Sequence, residues 1–343
     1  MIAIAVLPQR TVFDTLDPVR LPKISPWLRF FRLPNLPTAP GDALAGAAFM
    51  LPAGDATLVR AFAAAAGALL MYMYGLAVND DIGAREDAEN APGRPIPSGE
   101  ISIRAARIAG CVCLIAAYWV PELIMRFADD GGEMPFTWSI AMVALCGLVI
   151  AYNYQKSAWL LGVCRAASVL CGGIAVWLPD RSPYTGRLFP ENSWLLVSLI
   201  LLAFGWGLYV AAVAKLSEGK DRLSEGLGNR RFLLGLAAFT PLLAFVPIAF
   251  MPGVEFESRL MFVMPVSGCC STFIAWCLAV EPLWMPHGPK VRKLAVDRAI
   301  SALMYMQIGF MLMVARPSFL AAAAGLWFAS RLAHRFAPQI DGL

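Results

Sequence analysis

AFAAAAGALLMYMYGLAVNDDIGAREDAENAPGRPIPSG, Ala61 to Gly99, begins as an uncharged apolar run and ends in acids, with Arg94 set between Gly93 and Pro95. The first half, Ala61–Val78, approaches the roughly 20 apolar residues that cross a hydrocarbon core about 30 Å thick. The second half is the kind of segment a bilayer would expel.

The rest of the sequence is built like the first half. Of 343 residues, 59% are apolar and 15% charged, against about 25% charged in a soluble domain, and the mean hydropathy is +0.63. Apolar windows recur at Thr38–Leu51 (short for a span), Ala61–Val78, Ile108–Met125, Trp138–Tyr152, Trp159–Trp177, Trp194–Val213, Phe232–Phe250, Leu260–Val280, Ala299–Ala315 and Phe319–Phe336. Pro and Gly inside such windows do not disqualify them. So many windows in series, with hardly a polar face among them, exclude a set of buried helices in a soluble protein. The expected fold is all-α, a multi-pass transmembrane helical bundle of about ten helices. It forms a single domain over residues 1–343, preceded within it by a cytoplasmic N-terminal arm at 1–30.

Lys and Arg set the orientation through their excess in cytoplasmic loops. One set of loops holds Arg10, Arg20, Lys23, Arg29 and Arg32, then the 79–107 segment, Lys156, the 215–231 segment and 290–298. The alternate set is short or acidic, with Asp55, Asp129, Asp130, Glu133, Asp180, Glu191, Glu255 and Glu257. The basic set is therefore expected on the cytoplasmic side, which in a bacterium means the inner face of the cell inner membrane.

Several chemistries drop out. All eight cysteines (Cys111, Cys113, Cys146, Cys164, Cys171, Cys269, Cys270 and Cys277) fall in apolar windows with no metal-ligand or disulfide spacing. With His287 and His334 as the only histidines, a histidine metal site or a Ser/His/Asp triad has no material to build it. Met1–Leu7 is too short for a signal peptide. The net charge of +4 comes from the cytoplasmic loops and suits anionic headgroups, so membrane lipids are expected partners and nucleic acid is not.

If the second helix continues past Asn79, residues four apart share one face. Asn79, Gly83 and Asp87 then form a stripe, with Asp80 at its border. Clustered oxygen ligands suit Mg²⁺, which prefers carboxylates and phosphate oxygens. A solvated helix end whose acids sit beside basic neighbours is the plainer alternative. Arg94, stiffened by Pro92, Pro95 and Pro97, favours the first reading, since a guanidinium beside carboxylates can grip a diphosphate.

These residues resemble the first aspartate-rich motif and following loop of the UbiA superfamily of intramembrane prenyltransferases. Asn79, Asp80, Asp87, Asn90, Pro92, Arg94 and Pro95 stand at matching positions. RFFRLPNLPTAPGDALAG resembles the family's first helix, with Arg32 and Asn35 in its Arg-x-x-Asn position, and YNYQK supplies Tyr152 and Lys156 in its Tyr-x-x-x-Lys arrangement. GVCRAASVLCGG and LYVAAVAKLSEG look most like a divergent bacterial, EboC-like branch. The resemblance implies a UbiA-type bundle of nine core helices plus a tenth. Asn79, Asp80, Asp87 and Glu218 would be metal ligands, and Asp80, Asp87 and Lys156 would be the catalytic groups. Arg94, Tyr152, Arg32 and Asn35 would bind substrate, and Arg165, Lys215 and Asp221 are further substrate-binding candidates outside the matching motifs.

Two departures stand out. Gly83 replaces the family's middle aspartate, and in LYVAAVAKLSEGKDRLSEG, where a second aspartate pair belongs, Ala214 and Glu218 take the two places. Asp221 and Glu225 are nearby substitutes, while Lys215 and Lys220 enter the same loop. Fewer acids imply a single Mg²⁺, or lysine in place of a metal.

Arg165, about two turns into the fifth window, Trp159–Trp177, is costly there unless it faces a polar cavity or partner. It either lines the substrate cavity or reaches the interface on its long stem. The activity implied by the resemblance is transfer of an isoprenyl group from a prenyl diphosphate to an aromatic or lipid-like acceptor. A catalytically altered protein that binds or moves a lipid precursor, and a terpene cyclase, are the alternatives.

Overall fold

The computed structural model describes residues 25–50, 56–128, 133–177, 193–217, 237–244, 289–312 and 317–341. Among them the regular elements are all helical. They are α1 (Pro26–Phe30), α2 (Thr38–Met50), α3 (Ala56–Asn90), α4 (Ile103–Phe127), α5 (Phe136–Gln155), α6 (Ala158–Val176), α7 (Ser193–Ser217), α8 (Pro289–Leu312) and α9 (Pro317–Asp341), with 3₁₀ turns at Leu33–Asn35 and Thr240–Ala244. The windows Phe232–Phe250 and Leu260–Val280 lie largely outside the described residues. So do Glu218, Lys220, Asp221 and Glu225.

Five helices, α3 to α7, are long and apolar enough to cross a membrane. Ile108, Val112, Ile115 and Trp119 on α4, with Ile140 and Val143 on α5, are all exposed. In water such a surface would drive aggregation. Against lipid tails it is the surface expected of an integral multi-pass protein.

Helix boundaries differ from the apolar windows in an informative way. With 35 residues, α3 is about 52 Å long, well beyond the hydrocarbon thickness, so it runs unbroken from Ala61 through the acid-rich stretch to Asn90. Its polar end stays helical because each of several acids finds a basic partner on another segment. Similarly, α8 begins ten residues before the apolar window at Ala299. The short window at Thr38 is also a helix, but its 13 residues span only about 20 Å. Buried along nearly its whole length, α2 is an interior element rather than a lipid-facing span.

Glycine decides how closely α2 can approach. A Cβ on Gly46 would collide with the Val169 carbonyl, and one on Gly172 would collide with the Ala43 carbonyl. Backbone therefore meets backbone between α2 and α6, the small-residue packing on which membrane helices rely. Gly162 and Gly207 make the same reciprocal approach between α6 and α7.

Two apolar clusters fill the bundle. One gathers Trp206, Tyr209, Met306, Phe310 and Phe319 around α2 and α7, and the other gathers Met71, Met125, Trp138 and Met142 between α3, α4 and α5. A smaller cluster ties Phe30 of α1 to Ala77, Ile101 and Ala106, fixing the entry segment beside the polar end of α3.

Candidate functional site

The polar end of α3 is held by cations from four different segments. Arg32 Nη2 donates to Asp80 Oδ1 at 2.9 Å, and Arg107 Nε donates to Asp81 at 2.9 Å. Lys156 Nζ lies 3.8 Å from Glu86, and Arg94 donates to Asp87. Asn79 Nδ2 adds a bond to Asp80 at 3.1 Å.

Two of these cations stand on unusual backbone. Arg32 (φ 50°) and Lys156 (φ 46°) are the positive-φ residues other than glycine among the described residues. The left-handed region costs an L-residue about 1–2 kcal/mol, and such strain persists where surrounding structure imposes it, often at functional sites. For Arg32 it comes at the entry to the Leu33–Asn35 turn. For Lys156 it comes at the C-cap of α5, where its N–H returns to the Tyr152 carbonyl at 2.6 Å.

Behind these cations is a cavity of about 500 Å³. Its polar lining includes Arg32, Asn35, Asn79, Tyr152, Asn153 and Lys156. The apolar lining comes from Met71 on α3, Leu145 and Val149 on α5, Leu161 on α6, Val210 and Val213 on α7 and Leu303 on α8. Ala214 also lines it, so the end of α7 reaches the same space as Asn79. The two distant sequence motifs thus approach one cavity. Lys215 is exposed beside Ala214.

Arg165 proves to be a cavity residue, not one that reaches the interface. It is 8% exposed, and its Nε lies 2.7 Å from Asp42 Oδ2. Its Nη2 donates to Asp42 Oδ1 at 3.1 Å and to the Thr38 carbonyl at 2.9 Å. Trp206 Nε1 (2.9 Å) and Gln307 Nε2 (2.7 Å) complete the donors on Asp42 Oδ1. Arg165, Trp206 and Gln307 thus all donate to one carboxylate oxygen, and Asp42 and Arg165 form a single buried ion pair. Asp42, Trp206 and Gln307 were not among the residues singled out by sequence. The signal was nonetheless present: a lone acid in one apolar window and a lone arginine in another point to each other.

The UbiA prenyltransferase family matches residues 42–280, most of the chain. The chain belongs to that family. It is 31% identical over 144 residues to digeranylgeranylglyceryl phosphate synthase of Methanopyrus kandleri, covering 40% of this chain and 49% of the relative. The chain thus spans about half the length of the curated relative it matches. Among solved structures, the apo form of a UbiA homologue from Aeropyrum pernix K1 shares the fold, with TM-score 0.55 at 14% identity over 81% of this chain and 97% of the other. A second structure, from work on digeranylgeranylglyceryl phosphate synthase in membranes, aligns at TM-score 0.48 and 18% identity over 85% of this chain and 98% of that one.

The Mg²⁺ that a UbiA site implies can be tested against the donors in place. Among the described residues no group of three or more His, Cys, Asp or Glu converges to hold a metal. Asp80 and Asp87 are each engaged by an arginine. A Cβ on Gly83 would stand 3.6 Å from both Asp87 Oδ2 and Lys156 Nζ, so the notch left by the missing carboxylate is faced by an ammonium. The described residues do not by themselves fit Mg²⁺.

Proposed function

We propose that this UbiA protein transfers an isoprenyl group from a prenyl diphosphate to an aromatic or lipid-like acceptor inside the membrane. The observation that carries the reading is the junction of a cation-rich mouth with an apolar cavity. Arg32, Arg94 and Lys156 would hold the diphosphate by charge-assisted bonds. As the C–O bond breaks, negative charge grows on the leaving oxygen, and cations already in place stabilise it without reorganising. The apolar lining would take the prenyl chain and keep water from the cation-like carbon.

Asp80 and Asp87 act in this scheme by positioning Arg32 and Arg94, which the diphosphate must then share or take over. Tyr152 and Asn35, both on the cavity wall, would border the same headgroup. Mg²⁺ binding would need a ligand from outside the described residues, and Glu218 and Asp221 are the candidates by sequence. Lys215 would add charge on that side.

The test is product formation in membranes supplied with geranyl diphosphate and a panel of aromatic and lipid alcohols. Turnover should be lost in Asp80→Ala and Asp87→Ala. A protein that binds the diphosphate and yields no product with the wild-type chain would overturn the reading. In its favour the second reading, a protein that binds or moves a prenyl phosphate lipid without reaction, has the Gly83 notch, where a lysine stands in place of a carboxylate. That protein would bind the diphosphate and release it unchanged.

A further inference from the structure

Arg165 differs from the cations at the mouth in that its ion pair is buried on both sides. Asp42 is fully buried and lies 2.7 Å from the guanidinium. The geometry fixes the fork of the arginine: Nη2 donates to Asp42 and Thr38, Nε lies in ion-pair contact with Asp42 Oδ2, and Nη1 donates to no described residue. Arg165 is more than nine-tenths buried and forms part of the cavity wall. It stands nine residues beyond Lys156 in the chain, on the first turns of α6. This is deep enough to lie behind a diphosphate held at the mouth.

We infer that Arg165 anchors the acceptor through Nη1, and that Asp42 tunes the anchor to accept an uncharged oxygen, a hydroxyl or carbonyl, in preference to a carboxylate or phosphate. An anion entering here would lose its hydration and meet a neutral ion pair, with an attraction reduced to that of a dipole. A neutral oxygen loses little on entry and gains a bond to a charged donor. The deeper site therefore complements the mouth, where Arg32, Arg94 and Lys156 are also paired but partly exposed, so their carboxylate partners can turn to water when an anionic donor binds. Ser168 and Tyr72, also on the wall, give such an acceptor further polar neighbours.

This inference rests on the prenyl-transfer reading but is measured by binding alone, so the two can fail separately. The protein in lipid nanodiscs is titrated at pH 7 with 2-naphthol, which is neutral, and with 2-naphthoate, which is an anion of similar size; uptake by empty nanodiscs is subtracted. Wild type should bind naphthol at least tenfold more tightly than naphthoate. Asp42→Asn leaves the charge of Arg165 uncompensated and should shift that ratio at least tenfold toward naphthoate. Should Asp42→Asn fail to fold, the double variant Asp42→Asn/Arg165→Met buries no lone charge; it should lose naphthol affinity at least tenfold while still binding geranyl diphosphate. A wild-type protein that binds naphthoate as tightly as naphthol, or neither probe, overturns the proposal. So does a folded Asp42→Asn with an unchanged ratio, or a double variant with undiminished naphthol affinity.

Discussion

Replacing Lys156 by glycine should cost the fold less than replacing it by alanine, while both damage the site, and the first effect follows from the backbone. At φ 46° and ψ 38° the residue occupies the left-handed region, which costs a side-chain-bearing residue about 1–2 kcal/mol and glycine nearly nothing. Against this, glycine makes the unfolded chain looser by about 0.4–1 kcal/mol. Alanine at the same place keeps the strain and also lacks the ammonium, so it is the proper comparison. Lys156→Gly should be more stable than Lys156→Ala by roughly 0.5–1 kcal/mol. The ion pair with Glu86, 3.8 Å long and largely exposed, contributes at most about 1 kcal/mol and cancels in that comparison. In binding, both variants lose a charge-assisted contact of about 1.5–3 kcal/mol, roughly tenfold to over a hundredfold in affinity for pyrophosphate. Reversible unfolding in mixed micelles measures the first effect, and calorimetric titration with pyrophosphate the second. The reasoning fails if alanine proves as stable as glycine, or if either variant binds pyrophosphate as tightly as wild type.

Other substitutions probe the packing and the notch. Gly172→Ala should cost 2 kcal/mol or more, on the order of an overpacked core, because its Cβ has only the Ala43 backbone to meet; Gly147→Ala, open to space, should be neutral or slightly stabilising by the same unfolding assay. Gly83→Asp should weaken pyrophosphate binding measured in EDTA, because a carboxylate there would reach Lys156 first and neutralise it. Arg165→Met alone should destabilise the protein by about 3–5 kcal/mol, as an unpaired buried carboxylate does, and adding Asp42→Asn should recover most of that loss.

Composition and the ladder of apolar windows made the membrane bundle legible, because hydrocarbon leaves the backbone few choices. The length of α3 was not legible from hydropathy, since its last turns are stabilised by partners distant in sequence. Arg107 comes from α4, Lys156 from the end of α5 and Arg32 from before α2. Arg32, Asn79, Asp80, Asp87, Arg94 and Lys156 are all recognisable in the sequence motifs, and the fold gathers them at one end of the bundle. What no motif conveyed was their pairing, carboxylate to arginine, which changes the site from a bare acidic cluster to a set of ion pairs. Arg165 was legible as a cost to be compensated. Its compensation by Asp42 depends on the close approach of α2 to α6, which is set by Gly46 and Gly172 rather than by any charged residue.

The ion pairs also constrain how the mouth can work. Asp80 and Asp87 are seven residues apart, two helical turns less about 20° and roughly 10.5 Å along the axis, so they share a face and hold their arginines at two heights. A diphosphate drawing on both Arg32 and Arg94 must lie along that face rather than across it, with Lys156 beside the lower pair. Each arginine it recruits leaves a carboxylate short of its partner, so anion binding alone weakens the clamp on α3. Charge reversal at one pair separates clamp from grip. Asp87→Arg with Arg94→Asp should keep α3 helical to Asn90, by the protection of its last-turn amides from hydrogen exchange, while moving the cation onto the helix. If pyrophosphate affinity survives the swap, the mouth needs only the charge; a loss of at least tenfold shows that it needs the guanidinium where the loop holds it.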